Sequence, residues 1–153
     1  LVDDQGNVVK QSNETGELVY KGKNVSMGYA SGAQDLIKGD ENYGILMTGD
    51  LALRDDDGFY YIIGRKSRFI KIYGNRVNLD EAEQLIKNIT GDVACVGSDE
   101  KMIIYITDES LVSEVRSFIA TKTGINFRAF EVRVIANIPK SSSGKLIYRD
   151  LQT

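Results

Sequence analysis

Residues 1–63 contain no stretch with helical apolar spacing, whereas after Gly64 helical and extended periodicities alternate. That break constrains the fold more than any single motif. Before it, residues 17–20 give a strand signal entered through Gly16, residues 21–24 turn the chain, and residues 25–29 are predicted as a further short strand. Residues 30–43 are Gly-rich and polar, a loop with at most a helical turn at Leu36 and Ile37. Ile45, Leu46 and Met47 lead into Thr48-Gly49-Asp50. Residues 51–54, a turn over 55–58 and residues 59–63 then have the form of a β-hairpin. Taken as an isolated unit, these few strands have an incompletely covered face.

Beyond Gly64, residues 68–72 alternate apolar and basic positions as a short strand would. Asn78 can cap a helix, with Glu81 three residues on, close to a capping box. Leu79, Ala82, Leu85, Ile86 and Ile89 recur at helical spacing up to Gly91. Compact apolar runs at 93–96 and 102–106 predict buried strands. Ser110 is the expected cap of a second helix with Leu111, Val112, Val115, Phe118 and Ile119 on its apolar face and Gly124 past its end. Residues 130–135 predict a third strand, 139–144 a small-residue loop, and 146–151 a last short helix. The expected class is α+β: a β-rich piece over residues 1–66, then a small domain with a three-stranded sheet and helices over 67–153. No internal repeat is visible.

Bulk properties exclude several functions. The chain has 153 residues, 42% of them hydrophobic, and a formal net charge of −3. A general nucleic-acid binder needs a basic face, so that partner is not expected. With no histidine and one cysteine, Cys95, there is no zinc site, no Ser-His-Asp or Cys-His nucleophile and no intrachain disulfide to expect. A reducing, cytoplasmic setting follows from that cysteine usage. No apolar run approaches the roughly 20 residues a membrane helix needs, and no signal peptide is apparent. The chain starts at Leu1 in mid-strand character and reads as a piece of a longer polypeptide.

Against the acidic background, the stretch from Gly64 to Arg76 carries Arg65, Lys66, Arg68, Lys71 and Arg76 and no carboxylate. Asp55, Asp56 and Asp57 precede it; Asp80, Glu81 and Glu83 follow. A local basic patch of this kind suits an anionic partner, or else is a solvated turn. Asp50, an acceptor with two oxygens, suits vicinal ribose hydroxyls or a turn cap. Arg65 offers a rigid fork of donors, for a ligand or for an ion pair with Asp55, Asp56 or Asp57. Lys145 follows Ser141-Ser142-Ser143-Gly144, a loop that can deliver an ammonium to an anion or serve as a linker. It is not a phosphate loop of the Walker type, because Pro139 and Leu146 stand where glycine and Ser or Thr are required.

Four motifs occur in order: Gly44-Ile-Leu-Met-Thr-Gly-Asp-Leu51, Asp57-Gly-Phe-Tyr-Tyr-Ile-Ile-Gly-Arg65, Lys71-Ile-Tyr-Gly-Asn-Arg-Val77 and Pro139-Lys-Ser-Ser-Ser-Gly-Lys145. Together they resemble the C-terminal portion of the AMP-forming adenylate synthetases, which include acyl-CoA synthetases, peptide-synthetase adenylation domains and firefly-type luciferases. The resemblance runs from about Gly16 to Leu151. It implies that residues 1–66 are the end of a large AMP-binding domain and 67–153 a mobile C-terminal domain. It implies an enzyme that activates a carboxylic acid with ATP and Mg²⁺, forms an acyl-adenylate and passes the acyl group to the thiol of CoA or of a carrier protein's phosphopantetheine. An N-terminal domain of the same polypeptide would hold the phosphate loop and the acid pocket, and these residues alone would be inactive.

By the same resemblance, Asp50, Arg65 and Thr48 bind the nucleotide, and Lys145 contacts the acyl carboxylate and phosphate. Lys71 and the loop with Gly74 and Arg76 serve the second half-reaction and line the thiol acceptor's route. The hinge position carries Ser67, where the family usually has Asp or Lys, so the hinge carries over but its charge chemistry does not. Two other readings stand beside this one: the tail of a carrier-protein-loading adenylation domain, and a non-catalytic interaction module. Cys95 reads as a buried small hydrophobe, and Met102 and the tyrosines as core or edge packing.

Overall fold

The computed structural model describes residues 1–151, and the chain divides into two compact units, Leu1–Ser67 and Arg68–Thr153. In the first, β1 (Gly16–Lys21), β2 (Ile45–Arg54) and β3 (Tyr60–Arg65) form an antiparallel sheet in the order β1-β2-β3. Val2 bridges to Val8 and to Glu17 at its margin. The β2–β3 turn is closed by the Asp55 carboxylate, which accepts the Phe59 amide at 2.8 Å, and by Gly58, whose φ of +91° suits glycine. Leu51 and Ala52 are buried, but Ile45, Met47, Phe59, Tyr60, Tyr61 and Ile62 are exposed. The incompletely covered face expected from the sequence is present.

Two local expectations fail here. Residues 25–29 form no strand: the Val25 amide closes a turn onto Gly22, the Met27 carbonyl accepts from Glu41, and Ser26 accepts from the Asn42 side chain. Loop bonds satisfy the backbone that a strand partner would have had to take. Thr48-Gly49-Asp50 does not precede a separate strand; it lies inside the ten-residue β2, where the register slips against β3 between Leu51 and Ala52. Among the tyrosines only Tyr105 joins a core fully; Tyr60 and Tyr61 lie exposed on edge strand β3, and Tyr29 and Tyr43 are exposed in loops.

In the second unit β4 (Phe69–Ile72) and β5 (Asn75–Asn78) form a hairpin, followed by α1 (Leu79–Thr90). Asn78 caps α1, accepting from the Asp80 and Glu81 amides, and Gly91 ends it at φ +76°. Next come β6 (Val93–Ser98), β7 (Lys101–Ile106), α2 (Val112–Thr123) and β8 (Phe130–Val134). The sheet runs β6-β7-β8, with β7 and β8 parallel across the α2 crossover. Pleat alternation sends Val93, Cys95, Met102, Ile104, Ile106 and Phe130 into one core with Ile86, Val115 and Ile119 from the helices. Ala94, Val96 and Tyr105 point the other way and are covered by Ile138, Leu146, Tyr148 and Leu151. Burial on both faces is why β6 and β7 read as continuous apolar runs.

Ser110 does not cap the second helix. Asp108 accepts both the Ser110 amide and its hydroxyl, and the chain enters α2 through a short 3-10 turn, Glu109–Leu111. Asp108 caps that turn instead, the Ser110 hydroxyl is paired with its carboxylate, and α2 itself follows Leu111 without a side-chain cap. The expected last helix shrinks to a 3-10 turn, Tyr148–Asp150.

On β8, Glu131 is flanked by Lys101 and Arg133, which lower its pKa from 4.5 to about 2. A depressed carboxylate stabilises the fold above its unfolded pKa and loses that contribution as pH falls through the folded value. Unfolding free energy from urea titrations should therefore drop between pH 4.5 and about 2 partly through this group. Glu131→Gln should flatten that slope; an unchanged pH profile would show that the two cations do not stabilise the folded state.

Candidate functional site

In the first unit the bulge in β2 collects three of the expected residues. Gly49 adopts φ +71°, and its amide donates at 3.2 Å to the carboxylate of Glu17 on β1. The Thr48 hydroxyl donates to the Leu18 carbonyl at 2.7 Å and accepts the Asp50 amide at 3.1 Å. Asp50 stands opposite Arg65 on β3, and Arg65 Nε donates to Asp50 Oδ1 at 3.0 Å while its Nη1 reaches the Thr48 carbonyl at 3.3 Å. Arg65 does not pair with Asp55, Asp56 or Asp57, and Asp50 caps no turn. The Asp50 side chain is 23% exposed and that of Arg65 63%, so both present polar atoms to solvent. A carboxylate with a free oxygen beside an open guanidinium fork can accept from hydroxyls and donate to phosphate oxygens at one place.

Glu17 escaped sequence reading, and Lys66 was read only as one cation of the basic stretch, not as its partner. Glu17 is buried, with its carboxylate held by Lys66 Nζ at 2.9 Å, and Lys66 also reaches Asp4 at 3.3 Å. Glu17 and then Asp4 raise the Lys66 pKa. The acidic residue inside a strand signal, Glu17 before Leu18 and Val19, was the available clue.

Ser67 falls at the last position of the first unit, inside the 3-10 turn Lys66–Arg68. In the second unit, Lys71, Gly74 and Arg76 share the β4–β5 hairpin. Lys71 pairs directly opposite Arg76, Tyr73 and Gly74 form the turn at positive φ, and both cations are exposed. Like charges directly opposite on a hairpin are unfavourable without an anion nearby. Neither side chain makes a salt bridge among the described residues. The hairpin docks on the β6–β7 turn: Lys71 and Tyr73 amides donate to Asp99 and Glu100, and the Lys71 carbonyl accepts the Glu100 amide.

Lys145 lies at the other end of the sheet. Its loop closes by Gly144 N–H to Ser141 O at 2.9 Å, Ser141 N–H to Lys145 O at 2.8 Å and Ile147 N–H to Pro139 O at 3.0 Å. Lys140 fastens it to Asp92, just before β6, at 2.7 Å. Since Asp92 and Asp99 bracket β6, the loop and the hairpin are separated by about one strand length, roughly 20 Å. Lys145 is exposed and forms no salt bridge among the described residues. The structure thus gathers Thr48, Asp50 and Arg65, gathers Lys71, Gly74 and Arg76, and keeps Lys145 apart from that hairpin. No group of three or more metal-binding side chains occurs among the described residues, and none of their helices is long and apolar enough to cross a membrane.

No protein-family model matches the chain. It is 33% identical over 169 residues to a long-chain-fatty-acid–CoA ligase of Salmonella typhimurium, covering 99% of this chain and 28% of that protein. It is 30% identical over 163 residues to the peroxisomal OPC-8:0-CoA ligase 1 of Arabidopsis thaliana, covering 99% and 30% respectively. The solved structure of o-succinylbenzoate coenzyme A synthetase from Bacillus subtilis in complex with AMP matches at a TM-score of 0.69 and 22% identity, covering 99% of this chain and 33% of that one. The chain therefore spans less than a third of the curated relatives it matches. Those relatives are CoA ligases, its structural neighbours are adenylate-forming ligases, and its fold is that of their C-terminal domain.

The β2 bulge depends on a backbone conformation that only glycine adopts readily. A Cβ at Gly49 would meet only Arg65 Nη1, at 3.9 Å, so Gly49→Ala isolates the conformational cost. Urea unfolding should show a loss of about 1–2 kcal/mol for Gly49→Ala, against little change for Gly39→Ala, where φ is not positive and the space is open. Equal stability of the two variants would show that β2 can relax the bulge.

Proposed function

We propose that this chain is the C-terminal portion of an AMP-forming acyl ligase of the CoA synthetase type. The observation that supports it best is similarity over 99% of the chain to CoA ligases at 30–33% identity. In the reaction proposed, a carboxylate oxygen attacks the α-phosphorus of ATP, pyrophosphate leaves and an acyl-adenylate forms. The sulfur of CoA then attacks the acyl carbonyl, its proton is lost to solvent, and AMP departs. An N-terminal domain of the same polypeptide supplies the triphosphate loop and the acid pocket, so residues 1–153 alone carry out neither step. CoA rather than a carrier protein is the proposed acceptor, since the curated relatives above are CoA ligases. The cytoplasm is the proposed compartment, in keeping with the one free, buried cysteine.

Each side chain takes a role its chemistry allows. Asp50 accepts from the ribose hydroxyls of the nucleotide. Arg65, which orients Asp50 at 3.0 Å, donates to the ribose or phosphate edge, and Thr48 fixes the bulge. Lys145 brings a cation to the oxygens where negative charge grows during attack, which lowers that barrier. Lys71 and Arg76, cations held opposite each other with Gly74 between them, meet the thiol acceptor and its phosphates in the second step. Ser67 is the pivot between the two working arrangements. Mg²⁺ finds no cage among the described residues; in this reading it is bound by the nucleotide's phosphates and water.

Lys145→Ala in the full-length ligase should slow carboxylate-dependent pyrophosphate exchange by about a hundredfold or more, with an unchanged unfolding midpoint. Normal exchange in that variant would end the assignment. Asp50→Ala should weaken ATP binding by about 2–4 kcal/mol through loss of two ribose hydrogen bonds. Unchanged affinity by calorimetric titration would leave Asp50 as a structural partner of Arg65 only.

A further inference from the structure

The loop carrying Lys145 is joined to the first residue of the second unit by one polar cluster. Arg68 Nε donates to Asp80 at 2.5 Å, Nη2 to Glu83 at 2.7 Å and Nη1 to the Cys95 carbonyl at 2.9 Å. Its guanidinium lies 3.9 Å over the ring of Tyr148. The Tyr148 hydroxyl donates to Glu83 Oε2 at 3.0 Å, and Glu83 Oε1 also accepts the Cys95 amide at 2.7 Å. Tyr148 comes three residues after Lys145, directly past the Pro139–Ile147 closure that ends the loop. The loop is therefore fastened at its entrance by Lys140 to Asp92 and at its exit by Tyr148 to Arg68 and Glu83. Lys145 between them makes no side-chain ion pair among the described residues.

We propose that Arg68, Glu83 and Tyr148 are positioning residues for Lys145, fixing its loop to the residue at which the second unit begins so that loop and pivot end move as one rigid piece. The inference rests on the reading of Lys145 given above. Stability alone does not call for such a cluster, because apolar side chains of similar volume often replace a buried ion pair without loss. What apolar packing would not supply is direction. A planar guanidinium with three hydrogen-bonded neighbours and a stacked ring fixes the segment leaving the loop in orientation as well as depth. Burial, and then the Glu83 charge, raise the Tyr148 pKa, so the phenol remains a donor throughout the working range.

Tyr148→Phe in the full-length ligase keeps the ring over Arg68 and removes only the hydroxyl. It should slow pyrophosphate exchange about tenfold at unchanged KM for ATP, while thioester formation from supplied acyl-adenylate stays at the wild-type rate. Lys145→Ala and Lys145→Ala/Tyr148→Phe should be equally slow, since the hydroxyl acts only through the lysine. Equal slowing of both half-reactions, no slowing, or an additive loss in the double variant would each overturn the proposal. Should Lys145→Ala alone leave exchange intact, the function assigned to Lys145 falls, and amide hydrogen exchange at Gly144, Lys145 and Ile147 then decides the positioning claim by itself. Faster exchange at these amides in Tyr148→Phe supports it; unchanged exchange overturns it.

Discussion

A guanidinium and a carboxylate withdrawn from water together, Arg68 and Glu83, set the terms on which the second unit is built. Each side chain is roughly a tenth exposed. Stripping an ion of water costs several kcal/mol, recovered only if its partners are complete. Here they are. Glu83 accepts three hydrogen bonds and Arg68 donates three. Burial pushes the Glu83 carboxyl above its usual range, against the opposing pull of the Cys95 amide, Arg68 and Tyr148. Burial also works against the Arg68 charge, but Asp80 and Glu83 outweigh it and its pKa rises. The entry to β4, helix α1, strand β6 and the C-terminal segment all contribute to this one cluster. No buried side-chain polar atom among the described residues lacks a partner.

The first unit solves a smaller version of the same problem with less cover. Its buried ion, Glu17, is tied to Lys66 and to the Gly49 amide, and that contact is what holds the bulge from which Asp50 projects. Little else of the unit is enclosed: Leu51 and Ala52 are buried while six apolar side chains on β2 and around β3 stay open. Geometry at the bulge thus comes from hydrogen bonds and backbone shape rather than from a packed core.

How much of this could be read from sequence follows the range of each interaction. Helix α1 was legible because its signals are local: Asn78 at the cap, apolar residues at helical spacing, Gly91 at the stop. The apolar runs of β6 and β7 announced burial on both faces. The start of the second helix was misread because a 3-10 turn capped by Asp108 comes before it, and α2 then follows Leu111 with no side-chain cap that a sequence pattern could announce. The bulge in β2 was hidden because Glu17, which stabilises it, is 32 residues away from Gly49. The Tyr148–Glu83 contact spans 65 residues and leaves no local pattern. Even so, Glu83 held a clue: with Leu79, Ala82 and Ile86 it forms the buried stripe of α1, where an unpaired carboxylate would not be tolerated.

Ser67 has neighbours of an unusual kind. Lys66 is fastened by Glu17 and Asp4 within one unit and Arg68 by Asp80 and Glu83 within the other. Ser67 alone stands between the two anchored side chains, within the 3-10 turn Lys66–Arg68, and contributes two soft backbone torsions to the connection. With Ser67 as the pivot proposed above, such a joint would act as a universal coupling rather than a tether. Fixing it in one setting forfeits only about 1–2 kcal/mol of backbone entropy, where a flexible linker of ten residues would forfeit many times that. In that proposed reading, a serine without charge or bulk would leave the settings to be chosen by what each unit touches and not by the joint itself.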